Sequence, residues 1–340
     1  MKIKKLFAQA VMLTLIFSCT TDGVFQGPLS GDLTPPQLLG ITEVTETSIQ
    51  LEFNEPVEIS SEDILLAPDL GIESAQAAQE TVTIVFQDEC GPGILYRIDA
   101  HVTDIQDNSL SFIIPFYGHN PDLPEIVINE FTTQGSRAHP DLVELRVLSE
   151  GNTAGLTFFE GVPGEYEQCM VLPSIEVETD DYILIHTKPE AIEEEINETE
   201  STDISGGLDS SPEAYDLWLS EGTGLSGNNG VLSIYTSPSG TLVDAVAYSN
   251  RTSTSDEHYR GFGSTRVMDR MDCIHGQGGW TAAAEQIAPE DCIDPEDSTA
   301  TRSMNRLSTS IDTNSSADWH ITPTSGYTFG TINNDDEYSN

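Results

Sequence analysis

Positive charge is what this sequence has least of. Its 340 residues carry 13 lysines and arginines against 57 aspartates and glutamates, a formal net charge of −44. Lysine is the scarcer of the two: Lys2, Lys4 and Lys5 sit at the very start, which leaves Lys188 and nine arginines for everything else. Nucleic-acid binding relies on lysine and arginine to displace phosphate counterions, so a nucleic-acid partner is not expected. A surface this acidic suits a saline habitat, where the screening length falls to about 3 Å near 1 M salt; collecting cations or basic partners is the functional alternative. Long apolar runs are lacking too. The longest, Leu6 to Phe17, is far short of the roughly 20 residues that a helix needs to cross a bilayer.

Compact chemical motifs are also missing. None of the cysteine spacings is C-x-x-C, so neither a zinc ribbon nor a thioredoxin-like redox site is implied. His101, His119, His139, His186, His258, His275 and His320 are scattered without H-E-x-x-H spacing and read as surface or packing residues. There is no G-x-S-x-G elbow, and carboxylates are too common for one acid and one base to be singled out. Gly222-Thr-Gly-Leu-Ser-Gly227 fits the letters of a dinucleotide fingerprint. It leads through Asn228-Asn-Gly230 into a strand, however, whereas phosphate binding needs a helix N-terminus, so it reads as a turn. Asp291, Asp294, Glu296 and Asp297, and likewise Asp335, Asp336 and Glu337, could offer calcium ligands but lack the glycine-turned calcium loop. The expectation is a protein with no catalytic, cofactor-binding or metal-ligating residue, and not an enzyme.

What is present begins with an export signal. Met1 to Lys5 is a basic segment, Leu6 to Phe17 an apolar one, and together they read as a signal peptide over residues 1–18. Ile16-Phe17-Ser18-Cys19 resembles the bacterial lipobox, which implies lipid attachment at Cys19 and a protein tethered to a membrane, with the outer membrane preferred because Thr20 follows the cysteine. Residues 19–35 form a flexible spacer rich in Gly, Pro, Ser and Thr. With Cys19 lipidated, Cys90, Cys169, Cys273 and Cys292 remain, an even number for an oxidising compartment with three conceivable pairings. The local choice is Cys273 with Cys292, a loop closure worth about 3 kcal/mol, leaving Cys90 with Cys169.

Beyond the spacer the fold class reads as all-β. Apolar residues alternate with period two in Ser48–Phe53, Thr81–Phe86 and Tyr96–Val102, as in half-buried antiparallel strands. Asp32-Leu-Thr-Pro-Pro36, the strand ending Phe53-Asn-Glu-Pro-Val57, and Val102-Thr-Asp104 followed by Asp107-Asn108 resemble the bacterial Ig-like domains of surface proteins. That resemblance implies a spacer or adhesive sandwich over residues 36–118.

A second module is expected over residues 125–334. Ile126-Val-Ile-Asn-Glu130, Val143-Glu-Leu145, Tyr182-Ile-Leu-Ile185, the hairpin containing Leu242-Val-Asp-Ala-Val-Ala-Tyr248, Asp312-Thr-Asn-Ser-Ser-Ala-Asp-Trp319, and Thr322-Pro-Thr-Ser-Gly326 before Asn333 resemble the lamin-tail domain. The resemblance implies a second Ig-like β-sandwich. Residues 188–211 read as a solvated acidic loop, and residues 251–311 as an insertion of undetermined topology. The insertion and its flank hold six of the nine arginines: Arg251, Arg260, Arg266, Arg270, Arg302 and Arg306. They read first as neutralising nearby carboxylates and second as a contact face for an anionic glycan or partner. The functional expectation is a non-catalytic, membrane-anchored lipoprotein that binds or scaffolds an envelope protein or glycan. The alternatives are an envelope hydrolase of nuclease or phosphoesterase type, since lamin-tail domains often accompany hydrolases, and a calcium-dependent adhesin.

Overall fold

A computed structural model describes residues 33–339. The signal peptide, Cys19 and most of the spacer lie outside the described residues. The first seven strands are β1 (Leu38–Val44), β2 (Ser48–Phe53), β3 (Ile64–Ala67), β4 (Ile72–Ala78), β5 (Thr81–Phe86), β6 (Leu95–Thr103) and β7 (Ser109–Tyr117). They form two antiparallel sheets, ordered β1-β2-β5-β4 and β3-β6-β7. This is the four-on-three strand order of an Ig constant-type sandwich. Period two does the sorting: Ile49, Leu51 and Phe53 of β2 and Val82, Ile84 and Phe86 of β5 meet Tyr96, Ile98, Ala100 and Val102 of β6 in one core. Phe116 stacks against both Phe86 and Tyr96.

The second half is built differently. Its strands are β8 (Ile126–Phe131), β9 (Leu142–Val147), β10 (Gly151–Asn152), β11 (Thr157–Val162), β12 (Glu165–Val171), β13 (Glu176–Val177), β14 (Tyr182–His186), β15 (Tyr215–Trp218), β16 (Asn229–Tyr235), β17 (Leu242–Ser249), β18 (Met304–Arg306) and β19 (Trp319–Ile321). A six-stranded sheet, β15-β14-β9-β8-β18-β19, faces a four-stranded one, β12-β11-β16-β17, and one large apolar cluster fills the space between them. Only the β14–β15 pairing is parallel among the pairs of these two sheets.

β8, β11, β14 and β16 are buried at every residue, which one sandwich interior alone does not explain. Strands buried on both faces need a cover on each side. The cover over the four-stranded sheet comes from the insertion 251–311. Its one α-helix, α1 (Thr265–Gly276), is capped by Ser264 and packs across β11, β16 and β17 with Arg270, Met271 and Ile274 buried. Phe262, Trp280, Ile287 and Ile293 from the same insertion join the core. On the other side, Phe329 packs on Leu142, Tyr182 and Leu184 of the six-stranded sheet and on Ala214 just before β15. The insertion therefore completes the module, and β18, within it, is a central strand of the six-stranded sheet.

The segment joining the sandwiches is knitted down. The Asn120 side chain donates to the Asn152 and Ala154 carbonyls at 2.7 and 2.9 Å. Gly93 takes a φ of +69°, and a Cβ there would stand 2.6 Å from the Gly155 nitrogen. Gly93→Ala should thus cost about 1–3 kcal/mol, read as a lower urea midpoint, because both the turn and the contact between modules must give.

The four remaining cysteines depart from expectation. Cys90, Cys169, Cys273 and Cys292 are free thiols, none at disulfide distance from another. Cys90 belongs to the first core and Cys292 to the second, and burial raises both thiol pKa values, that of Cys90 to about 11. Cys169 lies on β12, while Cys273 sits on α1 accepting a hydrogen bond from Gln277. An even count says nothing about where each thiol is placed.

Candidate functional site

Two buried polar centres lie on the six-stranded sheet, and both are assembled from the motif residues of the second module. Glu130 on β8 and Glu144 on β9 are cross-strand partners, both fully buried. A register shift between Ile128 and Glu130 brings Asn129 to the same network. Asn129 donates to Glu144 at 2.7 Å and to Asn333 Oδ1 at 2.8 Å, and Asn333 in turn donates to the Asn129 and Arg306 carbonyls at 3.1 and 2.7 Å. Thr328 satisfies Glu130 through its backbone N–H at 3.0 Å and its hydroxyl at 2.7 Å, and the Gly330 N–H reaches Glu144 at 2.6 Å. The segment from Thr328 to Asn333 is thereby clasped over the acidic pair.

The second centre surrounds Arg306, whose side chain is fully buried. It donates to the Ile128 carbonyl at 3.0 Å, to Asp244 at 3.2 Å and to Asp312 at 2.8 Å, with Asp318 at 3.5 Å and the Trp319 ring 4.8 Å away. Removing one member of such a group strands the others without water, a loss of about 3–5 kcal/mol. Arg306→Ala should lower the stability by that amount in chemical denaturation, and Arg306→Lys should recover little of it, since an ammonium lacks the guanidinium's fork.

Both centres titrate. Burial pushes the Glu130 carboxyl up to about 7, against hydrogen bonds from Ser303 and Thr328 that pull it down. Glu144 is raised by burial and then by the charge of Glu130, and Asp244 rises to about 6 through burial, opposed by Arg306. Between its ordinary and its raised pKa each group keeps a proton in the folded protein that the unfolded chain would release. The stability they contribute is complete below the ordinary carboxylate range and is lost as pH rises through their folded values. The melting temperature should fall from about pH 5 to about pH 8, and Glu130→Gln should make that fall shallower.

A third group was not legible in the sequence. The parallel pairing of β14 with β15 sets His186 beside Trp218. Their rings stack with centroids 3.6 Å apart and 11° between planes, and His186 Nε2 lies 2.7 Å from Asp216. Burial raises the Asp216 pKa, and the His186 hydrogen bond opposes the rise. The Trp218 indole donates to Ser205 at 3.0 Å, its backbone N–H donates to Asn197 at 2.7 Å, and Gly207 packs so closely that a Cβ would overlap the ring. Trp218 lines a cleft of about 410 Å³ with Pro189, Ile192, Glu195, Asn197 and Leu219. One cleft wall is the acidic loop. That loop contains no helix, as expected, but it is not uniformly solvated: fully buried Glu198 accepts from the Ile204, Ser205 and Asp216 N–H groups.

The other candidate residues take structural positions. The Gly222–Gly227 segment is a loop, pinned by Asp141 accepting from Leu225 and Glu160 accepting from Ser226. Arg251, Arg260, Arg266, Arg270 and Arg306 form ion pairs with nearby carboxylates, and Arg302 lies over the Tyr338 ring. Asp291 accepts from the Ala283 and Ala288 N–H groups, and Asp335 from Ser308. Among the described residues, no three His, Cys, Asp or Glu side chains converge as a metal set, and no helix is long and apolar enough to cross a membrane.

Among known proteins, an uncharacterized protein of Treponema pallidum (strain Nichols) is 25% identical over 187 residues, covering 52% of this chain and 46% of that protein. The chain thus spans about half the length of this curated relative. A DUF4876 family protein from Bacteroides thetaiotaomicron is 11% identical, with 77% of this chain and 88% of that one aligned at a TM-score of 0.29. The N-terminal part of the bacterial S-layer protein SbsC is 14% identical over 41% of this chain and 38% of that one, at a TM-score of 0.24. Scores this low carry no argument about either fold or function. A family model described as "TP_1001_2nd: protein second domain" matches residues 124–321, which span β8 to β19. That description names neither of the two families whose motifs the sequence resembles. Through more than half of its length, the chain belongs to this second-domain family.

Proposed function

We infer that the protein is a non-catalytic module of the bacterial cell envelope, held to a membrane by lipid on Cys19, that binds or scaffolds a partner through its second sandwich. The observation that carries this reading is the fate of the motif residues. Asn129, Glu130 and Glu144 are engaged with one another and with Asn333 beneath the Thr328–Asn333 segment, and Asp244, Asp312 and Asp318 are engaged with Arg306. A hydrolase needs converging groups open to substrate; these instead set the shape of a covered sandwich. The lipobox-like Ile16–Cys19 supports export and anchoring, and the net charge of −44 supports a partner that is not a nucleic acid.

Intact mass of the membrane-extracted protein should show cleavage before Cys19 and an added acyl mass, and Cys19→Ser should move the protein to the soluble fraction. A mass equal to the uncleaved chain would remove the anchor from this reading. Pull-down of envelope components with the anchored protein would then identify the partner.

A further inference from the structure

We propose that the outer face of the β3-β6-β7 sheet is a contact surface for a second copy of this chain, docked antiparallel so that Arg97 of each copy meets Asp99 of the other. The first sandwich, residues 36–118, holds fifteen aspartates and glutamates but a single arginine or lysine, Arg97. One cation among so many carboxylates has every opportunity to pair. Yet no carboxylate among the described residues lies within ion-pair distance of Arg97, whereas Arg146, Arg251, Arg260, Arg266, Arg270 and Arg306 each reach one. Tyr96, Ile98, Ala100 and Val102 fill the core, so Leu95, Arg97 and Asp99 face outward from β6. Their cross-strand neighbours are apolar: Leu65 and Ile113 flank Asp99, and Ala67 and Pro115 flank Arg97. Leu65, Leu95 and Ile113 are 72, 51 and 59% exposed, so the second sandwich does not cover this face.

This face is complementary to itself. A two-fold axis lying between two such sheets, perpendicular to β6 at Ile98, reverses the strand direction and sets position 97 of one copy over position 99 of the other. Arg97 and Asp99 then form two equivalent ion pairs. The same axis lays Leu65 over Ala67 and Ile113 over Pro115, a large side chain against a smaller one on both flanks. Stacked sheets stand about 10 Å apart, a gap that an arginine and an aspartate span end to end. β7 leads from Tyr117 toward the second sandwich, so the antiparallel arrangement carries the two acidic second sandwiches to opposite ends. A purely anionic partner would answer Arg97 and be repelled by Asp99; a second copy answers both charges at the same spacing. The contact is small, since three strands of four to nine residues offer roughly a few hundred Å² against about 800 Å² per partner in a stable complex. The dimer is therefore weak, with a dissociation constant in the micromolar range or above. It involves neither the lipid anchor nor the second sandwich, so it stands or falls separately from them.

The test is sedimentation velocity of the full chain from about 1 to about 500 μM, in about 0.5 M salt to screen the net charge. A shift from monomer to dimer with rising concentration is expected. Arg97→Asp alone and Asp99→Arg alone should each weaken the dimer at least about tenfold, because like charges then face each other across the axis. Both positions are exposed, so neither change disturbs the core. An equimolar mixture of the two variants should regain the dimer, since each copy then presents the charges that the other lacks. Both variants remain strongly negative, so recovery in the mixture does not come from net charge. Leu65→Lys should weaken the dimer as well, by removing apolar contact on one flank. A monomer throughout the concentration range, a dimer that both charge variants keep undiminished, or a mixture that associates no better than either variant alone would overturn the proposal.

Discussion

The second sandwich depends on placing ionisable groups where there is no water to receive them. Glu130, Glu144, Asp244 and Arg306 are almost wholly removed from solvent, where a charge is tolerated only when paired and hydrogen-bonded and a carboxyl without a cation holds its proton instead. That requirement draws in the rest of the architecture. Arg306 must come from β18, its carboxylates from β17 and from the segment before β19, and the lids of the acidic pair from Thr328, Gly330 and Asn333. Apolar burial is non-directional and leaves many packings open. The polar centres are more selective, because a hydrogen bond needs a particular donor facing a particular acceptor and a lost partner is not replaced by water.

The first sandwich was legible because its strands obey a simple rule. One face is wet and one is dry, so period two in Ser48–Phe53 and Thr81–Phe86 sets both their limits and their inward residues. The second module obeys the rule less, since β8, β11, β14 and β16 are dry on both faces and read as plain apolar runs. β11 and β12 left no clear alternation, and α1 escaped notice because it buries only Arg270, Met271 and Ile274, too narrow a stripe to stand out.

The polar centres were half legible. Their residues were visible as motif letters, but letters do not say whether an aspartate faces a substrate or an arginine. Residues from 128 to 333 have to come together before Arg306 is seen to gather three carboxylates. The Trp218 cleft was not legible at all. His186 and Asp216 are 30 positions apart and meet through a parallel strand pairing, which leaves no short-range spacing to detect. The cysteines misled for a related reason: parity and compartment suggested bonds, while the fold buries Cys90 and Cys292 in separate cores.

The clasp over the acidic pair joins Asn129 to Asn333 across 204 positions. A chain made from its N-terminal end delivers β8 early, yet the partners that close over Glu130 and Glu144 arrive only 186 to 204 positions later. Until then the two carboxylates and their apolar neighbours face water with their permanent companions missing, and loop closure over so long a span is slow. The first sandwich, whose apolar core lies within residues 38–116, has no such wait. Folding during synthesis is therefore sequential by construction, with an early half that closes its own core and a late half vulnerable to proteases until residue 333 has been made.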